Sequence, residues 1–293
     1  MTLSVNLAGP VATQVETGGA PKQPARRERD VFEINAPVVS NRQVNADYYH
    51  LVVEAGECAA YAKAGQFFNI ACPVTVADQP YLRRPMSIYR MVPSQGHLEF
   101  LYKVTGAGTR GLATLQPREK VAMLGPLGNG FWLEPSWKNV VVLGRGVGLA
   151  TLAPLDEMAA ARGVNVTAIL SARSRALVMS VERFVDAGAQ VDIVTDDDES
   201  SDPLNVERLL LGLIEHRKAD AFFTCGSNRL MLLMKNLAAK FHVPGQVALE
   251  QQMACGLGMC FCCVREFQNG DVQEQRRVCL EGPVFRLEEA LSW

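Results

Sequence analysis

Histidine is scarce in this chain, and none of its four histidines stands in a paired-ligand spacing, which leaves zinc hydrolase chemistry without its usual ligands. Long apolar runs are missing too. The best candidate, Val140 to Leu155, is interrupted by Arg145 and by three glycines, so no membrane-spanning helix is expected. A formal net charge of -2 over 293 residues argues against a general nucleic-acid or membrane-surface binder. The first thirty residues lack the cationic start and apolar middle of a secretion signal and end in the polar stretch Pro21 to Asp30; they read as a disordered tail. A disulfide scaffold is excluded by number and placement. Of eight cysteines, five crowd between Cys255 and Cys279, which is the texture of a metal or cluster site in a reducing cytoplasm.

What is present falls into three zones behind the tail. From residue 31 to 135, short β-rich runs alternate with turn residues: His50 to Glu54, Phe67 to Cys72, Pro85 to Arg90, His97 to Val104 and Lys120 to Leu124. This spacing predicts a small antiparallel β-barrel. From 136 to 245 the apolar strand candidates Val140 to Leu143, Val164 to Leu170, Gln190 to Thr195 and Ala221 to Cys225 alternate with helical patterns such as Thr151 to Ala161 and Asn205 to His216. That βαβ rhythm predicts a doubly wound parallel α/β sheet. Residues 246 to 293 are rich in cysteine and glycine and too short for an independent core, so something other than apolar burial is expected to hold them together.

Cys255, Cys260 and Cys263 follow C-x4-C-x2-C, and Cys279 supplies a fourth thiolate; this is the spacing of a plant-type [2Fe–2S] cluster. Gly256 and Gly258 permit the sharp turns such a loop needs. A four-cysteine zinc site is the rival, since thiolates alone do not choose iron over zinc. Zinc ribbons pair two C-x2-C units, and one is present here. Cys262 is one thiol too many and reads as a bystander.

Gly144, Gly146 and Gly148 follow an apolar strand and precede a helical pattern, the context in which a glycine turn meets a pyrophosphate. The next strand ends at Ser171-Ala172-Arg173-Ser174-Arg175, with no acid to read a ribose 2′-hydroxyl. Arg173 and Arg175 suit a 2′-phosphate through charge-assisted hydrogen bonds, or are surface arginines opening a helix, so NAD and NADP both stay open. Cys225-Gly226 closes the last strand, where either a nicotinamide or a plain small-residue turn fits. Asp196 to Glu199 reads as a solvated loop.

In the barrel zone, Arg83-Arg84-Pro85-Met86-Ser87-Ile88 puts two guanidinium groups beside a hydroxyl on a strand, and Tyr102-Lys103 leads into the turn Gly106, Gly108, Thr109. Alone, either is an ordinary strand and turn. In this order, with Leu124 to Phe131 (LGPLGNGF), Cys225-Gly226, Met253 to Cys263, Val278-Cys279 and Gly282 to Phe285, the chain resembles the electron-transfer subunits of class 1B dihydroorotate dehydrogenases, in the ferredoxin-reductase superfamily. The resemblance covers about residues 32 to 290. It departs at Arg145, where that family usually has glycine, and at Thr151, where proline commonly follows the glycine turn.

The resemblance implies an FAD-binding barrel, an NAD(P)-binding sheet and a cluster domain. It makes Arg84, Pro85, Met86, Ser87, Ile88, Tyr102, Lys103, Gly106, Gly108 and Thr109 flavin-side residues, Gly144, Gly146, Gly148, Arg173, Arg175 and Gly226 nucleotide-side residues, and Cys255, Cys260, Cys263 and Cys279 the cluster ligands. Ser87 and Cys225 are expected at the hydride-transfer point. A flavin-containing dehydrogenase subunit is the implied partner, with no nucleic acid and no membrane. A reductase serving an oxygenase or another flavoenzyme is the alternative, and a non-catalytic redox-sensing or binding protein a third.

Overall fold

In a computed structural model, residues 30–292 are described, and the expectation of a disordered tail falls on residues outside them. Seven strands, β1 (Phe32–Gln43), β2 (Tyr48–Glu54), β3 (Phe67–Ile70), β4 (Arg84–Ser87), β5 (Arg90–Val92), β6 (His97–Lys103) and β7 (Lys120–Leu127), form an antiparallel sheet in the order β4-β3-β7-β1-β2-β6-β5. The sheet curls because β1 serves both halves. Its first part pairs with β7 from Phe32 to Pro37, and its second with β2 from Val38 to Gln43. The register shifts between Val38 and Ser40, and an irregularity of that kind bends a strand and steepens its twist. Phe68, Ile70, Ile88, Leu98, Phe100 and Tyr102 fill the concave side. Two short helices, α1 (Cys58–Tyr61) and α2 (Ala107–Ala113), close its ends.

The second sheet takes β8 (Asn139–Arg145), β9 (Asn165–Ala172), β10 (Gln190–Thr195), β11 (Ala221–Cys225) and β12 (Gly245–Ala248), all parallel, in the order β10-β9-β8-β11-β12. Its helices are α3 (Gly148–Leu152), α4 (Leu155–Ala160), α5 (Val181–Asp186), α6 (Pro203–Glu215) and α7 (Asn228–Phe241). Period-two alternation in β11 shows how both faces are buried: Phe222 packs with Leu210, Leu230 and Met234, and Phe223 with Leu149, Leu152 and Phe184. Each fully buried phenylalanine contributes about 2–3 kcal/mol of apolar transfer. The caps are legible in sequence. Asp202 accepts from Leu204 N ahead of Pro203 in α6, and Ser227 accepts from Leu230 N ahead of α7.

The C-terminal segment adds the hairpin β13 (Val264–Asn269) and β14 (Val272–Arg277), the turn α8 (Val278–Glu281) and β15 (Val284–Arg286). β15 runs antiparallel beside β12, so the sheet is mixed and the segment is tied into it by backbone hydrogen bonds. Apolar burial holds this segment after all. Met253, Cys263, Phe267, Val278, Cys279 and Phe285 share one buried cluster with Leu230 of α7 and with Phe67 and Leu127 of the first sheet. A short segment needs no core of its own when two larger layers lend it theirs. The pattern from Thr151 to Ala161 is two helices rather than one, broken at Ala153-Pro154 between α3 and α4, because proline lacks the N–H that a continuing helix requires. Among the described residues, no helix is long and apolar enough to cross a membrane.

Candidate functional site

A cavity of about 820 Å³ opens where the two sheets and the C-terminal segment meet. The curled sheet lines it with Phe67, Arg83, Arg84, Pro85, Met86 and Ser87, the parallel sheet with Ala150, Thr151 and Cys225, and the link into the cysteine segment with Leu249 to Met253. Ile88 turns away into the barrel core and is fully buried. Arg84 lies against the start of α2: a Cβ on Gly108 would stand 2.8 Å from its Nε, so only a glycine lets the guanidinium and the helix turn meet. Thr109 Oγ1 accepts from Thr105 N at 2.9 Å and from Gly106 N at 3.1 Å, which fixes that turn. Arg83 gives one guanidinium nitrogen to Glu33 at 2.7 Å, and its other, Nη1, is buried with no hydrogen-bond partner. That buried donor without a partner, at a cavity wall, suits an arriving anion. The pair Arg83 and Arg84, the glycine cradle and an apolar slot between Pro85, Met86 and Ala150 therefore fit a flat ring carrying a diphosphate, as FAD does.

Two expected flavin residues stand elsewhere. Tyr102 is buried inside the barrel, its hydroxyl donating to Asn41 Oδ1 at 3.0 Å, and Lys103 pairs with Asp47 at 2.8 Å. Alternation places one face of β6 in the barrel core, and sequence spacing alone does not say which.

Ser87, Thr151 and Cys225 line the cavity together. Thr151, nearly fully buried, donates to Ser87 Oγ at 2.8 Å. Burial, and then the nearby Glu250 charge, raise the Cys225 pKa well above the usual thiol range. Glu250 stands at the cavity rim, open to solvent on one side, and burial on its other sides raises its own carboxyl pKa. Sequence reasoning did not mark Glu250 as a site residue, and treated Thr151 only as a departure.

Gly146 (φ 56°) and Gly148 turn the chain from β8 into α3, with Gly144 packed under Leu149 and Leu152. A Cβ on Gly148 would sit 2.6 Å from the Cys225 carbonyl, and one on Gly226 (φ 91°) 2.1 Å from the Arg145 carbonyl. The two loops touch backbone to backbone. Arg145 crosses the turn to Ser171 Oγ at 2.9 Å and grips Asp196 with both nitrogens, at 3.2 and 2.6 Å. Asp196 is therefore engaged, with its carboxyl pKa lowered by the Arg145 and Ser201 hydrogen bonds, while the run Asp196 to Glu199 is exposed as a solvated loop. Arg173 reaches Asp47 at 3.1 Å across from the barrel. Arg175 is exposed.

The cysteines come as two pairs. Cys255 and Cys260 hydrogen-bond each other, as do Cys263 and Cys279. Backbone amides face the sulfurs: Leu257 N lies 3.3 Å from Cys255 Sγ, and Cys279 N 3.4 Å from Cys263 Sγ. Burial raises the Cys255 pKa, but the amides of Leu257, Cys260 and Met259 and the Cys260 thiol outweigh it and bring the group to about 7. Among the described residues, no three histidine, cysteine or acidic side chains are gathered around one point as a single ion requires. Two thiolate pairs under a shell of amides fit a binuclear iron–sulfur unit better than one zinc. Arg277 donates to Gly258 O at 3.0 Å and lies over Phe261, clamping the loop. Cys262 points away, toward the Gln252 carbonyl at 3.9 Å.

Residues 250–291 match the family model for the iron-sulfur cluster binding domain of dihydroorotate dehydrogenase B. A dihydroorotate dehydrogenase B (NAD(+)) electron transfer subunit from Desulforamulus reducens is 34% identical over 251 residues, 86% of this chain and 95% of that protein. The chain belongs to this family of electron transfer subunits. The family's subunit from Shouchella clausii is 32% identical over 87% of the chain and 96% of its own length. A solved structure of an NADH-dependent reduced ferredoxin-NADP oxidoreductase superposes with a TM-score of 0.74 at 25% identity, covering 87% of this chain and 89% of that one. The ferredoxin-NADP+ reductase of Plasmodium falciparum shares the fold, with a TM-score of 0.56 at 12% identity over 71% of this chain and 89% of its own.

Proposed function

We propose that this chain is a cytoplasmic electron-transfer oxidoreductase subunit, passing electrons between a nicotinamide nucleotide, FAD and a [2Fe–2S] cluster, to or from a flavin-containing dehydrogenase subunit of the dihydroorotate-oxidising kind. In this reading residues 31–135 hold FAD, 136–245 the nucleotide and 246–293 the cluster. The observation that carries it is the shared cavity, whose walls come from the flavin motif, the nicotinamide-side turn and the strand leading to the cysteines. One site thus abuts all three redox elements.

Bound FAD exchanges two electrons with a nicotinamide and one at a time with a cluster, which is why both belong beside it. The chain's own residues do the rest. Arg83 and Arg84 hold the diphosphate, and the Gly106 to Thr109 turn presents amides to it. Gly148 and Gly226 bring the Cys225 turn close to the start of α3, and the residues of that turn would hold a nicotinamide. Thr151 and Cys225 are buried, so the hydride path is kept from water. Cys255, Cys260, Cys263 and Cys279 hold the irons, with the loop amides tuning the sulfurs.

The test is anaerobic titration of the purified chain with NADH and with NADPH, alongside iron, sulfide and zinc analysis. Bleached flavin, with about two irons per chain matched by sulfide, is the expected result. Zinc without sulfide, or flavin that neither nucleotide bleaches, would remove the reading, and the latter would leave a redox-sensing or binding protein in its place.

A further inference from the structure

Asn69 is a polar residue in an otherwise apolar strand. β3 reads Phe67-Phe68-Asn69-Ile70 with all four residues buried, and Asn69 is 1% exposed. Alternation sends Phe68 and Ile70 into the barrel core and turns Phe67 and Asn69 to the other face, where Phe67 joins the cluster holding Met253 and Cys263. On that face Asn69 Nδ2 donates to the Ala254 carbonyl at 3.2 Å. A Cβ on Gly256 (φ 72°) would lie 3.1 Å from the same Nδ2, so a bare backbone lets the loop close on β3. Asn69 thus meets the residues on both sides of Cys255. Its pairing partner in the sheet is Pro85, which lines the cavity. Between cavity and cysteines runs the segment 249–254, which has neither helix nor strand; residues 249–253 line the cavity, and Ala254 leads into Cys255. Leu249 N donates to Pro283 O at 2.9 Å at the start of this segment, and Asn69 takes its end.

We propose that Asn69 is a positioning residue for electron transfer, holding the segment 249–254 at a fixed separation between the flavin cavity and the Cys255 side of the cluster. The step it serves moves one electron: reduced FAD loses it, the oxidised cluster gains it, and Asn69 itself exchanges neither bond nor proton. Such a transfer falls off steeply with distance, so an irregular segment between donor and acceptor has to be pinned at both ends. Stability alone does not account for an amide here. Asn69 Oδ1 is buried with no hydrogen-bond partner, and a buried acceptor left open costs free energy that an apolar side chain would not. The donor half of the amide is the half in use, and it acts on the cysteine loop. Hydrogen bonding and burial around the sulfurs set a cluster's potential, so an anchor next to Cys255 acts on that potential as well as on distance. Asn69 does not line the cavity, which separates its role from that of the residues that would bind the flavin or the nicotinamide.

The inference rests on the flavin and cluster reading, and its test separates the two. Asn69→Leu keeps the branched shape and removes the hydrogen bond. In the full chain loaded with both cofactors, a dithionite titration of this variant should show a shifted cluster midpoint potential and an altered electron paramagnetic resonance signal, with the flavin potential unchanged. After flash photoreduction of the flavin, arrival of the electron at the cluster should slow about three- to tenfold, the scale of one neutral hydrogen bond. Anaerobic bleaching of the flavin by NADH or NADPH should keep its wild-type rate. Should the leucine variant lose its cluster, Asn69→Ala carries the same comparison. A cluster potential, resonance signal and transfer rate all equal to wild type would overturn the inference and leave the reading standing. Flavin bleaching slowed as much as cluster reduction would do the same, since it would make Asn69 a general support of the fold. A wild-type chain without iron and sulfide would overturn the reading and the inference with it.

Discussion

At the scale of single residues, the cysteine loop shows how neighbours in sequence acquire different chemistry. Cys262 and Cys263 are adjacent, yet Cys263 is 2% exposed and receives the Cys279 amide, whereas Cys262 is exposed and faces a carbonyl. Serine in place of Cys255, Cys260, Cys263 or Cys279 should therefore lose or destabilise the cluster, each substitution removing a thiolate, and Cys262→Ser should retain iron and sulfide. Iron and sulfide analysis of the five variants decides it, and equal loss from Cys262→Ser would show the ligand set to be wrong. On the flavin side, Arg84→Ala should weaken FAD retention by about 2–3 kcal/mol, the scale of a lost charge-assisted contact to phosphate. Full flavin occupancy after gel filtration would count against that role. The four cysteine positions and Arg84 could be proposed from the sequence because such proposals depend on residue type at fixed spacing. Tyr102, expected at the flavin, faces the barrel interior instead, since which face of a strand turns inward depends on packing that spacing does not encode.

At the scale of elements, strands with period-two or fully apolar runs were readable nearly to their ends, as β10 and β11 show. Less was legible where local sequence is ambiguous. Gly106 to Thr109 read as a turn and proves to be the cap and first turn of α2, a seven-residue helix with two glycines that packing against the Arg84 guanidinium makes possible. In the proposed reading, nucleotide choice depends on the end of β9. It carries no acid to read a ribose hydroxyl, Arg173 leans on Asp47, and Arg175 stands in solvent. An arginine already paired at the surface gives up little when a phosphate replaces its partner, because exposed ion pairs are weak. Replacing both Arg173 and Arg175 by alanine should therefore weaken NADPH binding far more than NADH binding. Titrations of both nucleotides against the double variant measure the ratio, and equal losses would return the arginines to the surface.

At the scale of the whole molecule, the cavity is already committed. Its walls come from β4, the turn after β11 and the strand into the cysteines, and in the proposed reading FAD and the nucleotide fill it. That reading puts chemistry on dihydroorotate on another polypeptide, reached through the cluster. The loop around the cysteines is built for contact: Leu257, Met259 and Phe261 are exposed side by side with Cys260, and apolar groups of that size in one loop mark an interaction surface. Electron transfer between proteins also needs the cluster near the boundary. The isolated chain should thus oxidise NADH or NADPH with ferricyanide or dichlorophenolindophenol as acceptor, while its flavin and cluster stay oxidised in the presence of dihydroorotate. Adding a flavin-containing dehydrogenase subunit should permit dihydroorotate to reduce both under anaerobic conditions. A charged residue in place of Met259 should block that reduction and leave ferricyanide activity intact, since its side chain is exposed and does not line the cavity. Reduction by dihydroorotate without any added subunit would overturn the division of labour. Failure with every dehydrogenase subunit of this type would direct the same cluster surface to a different flavoenzyme or an oxygenase.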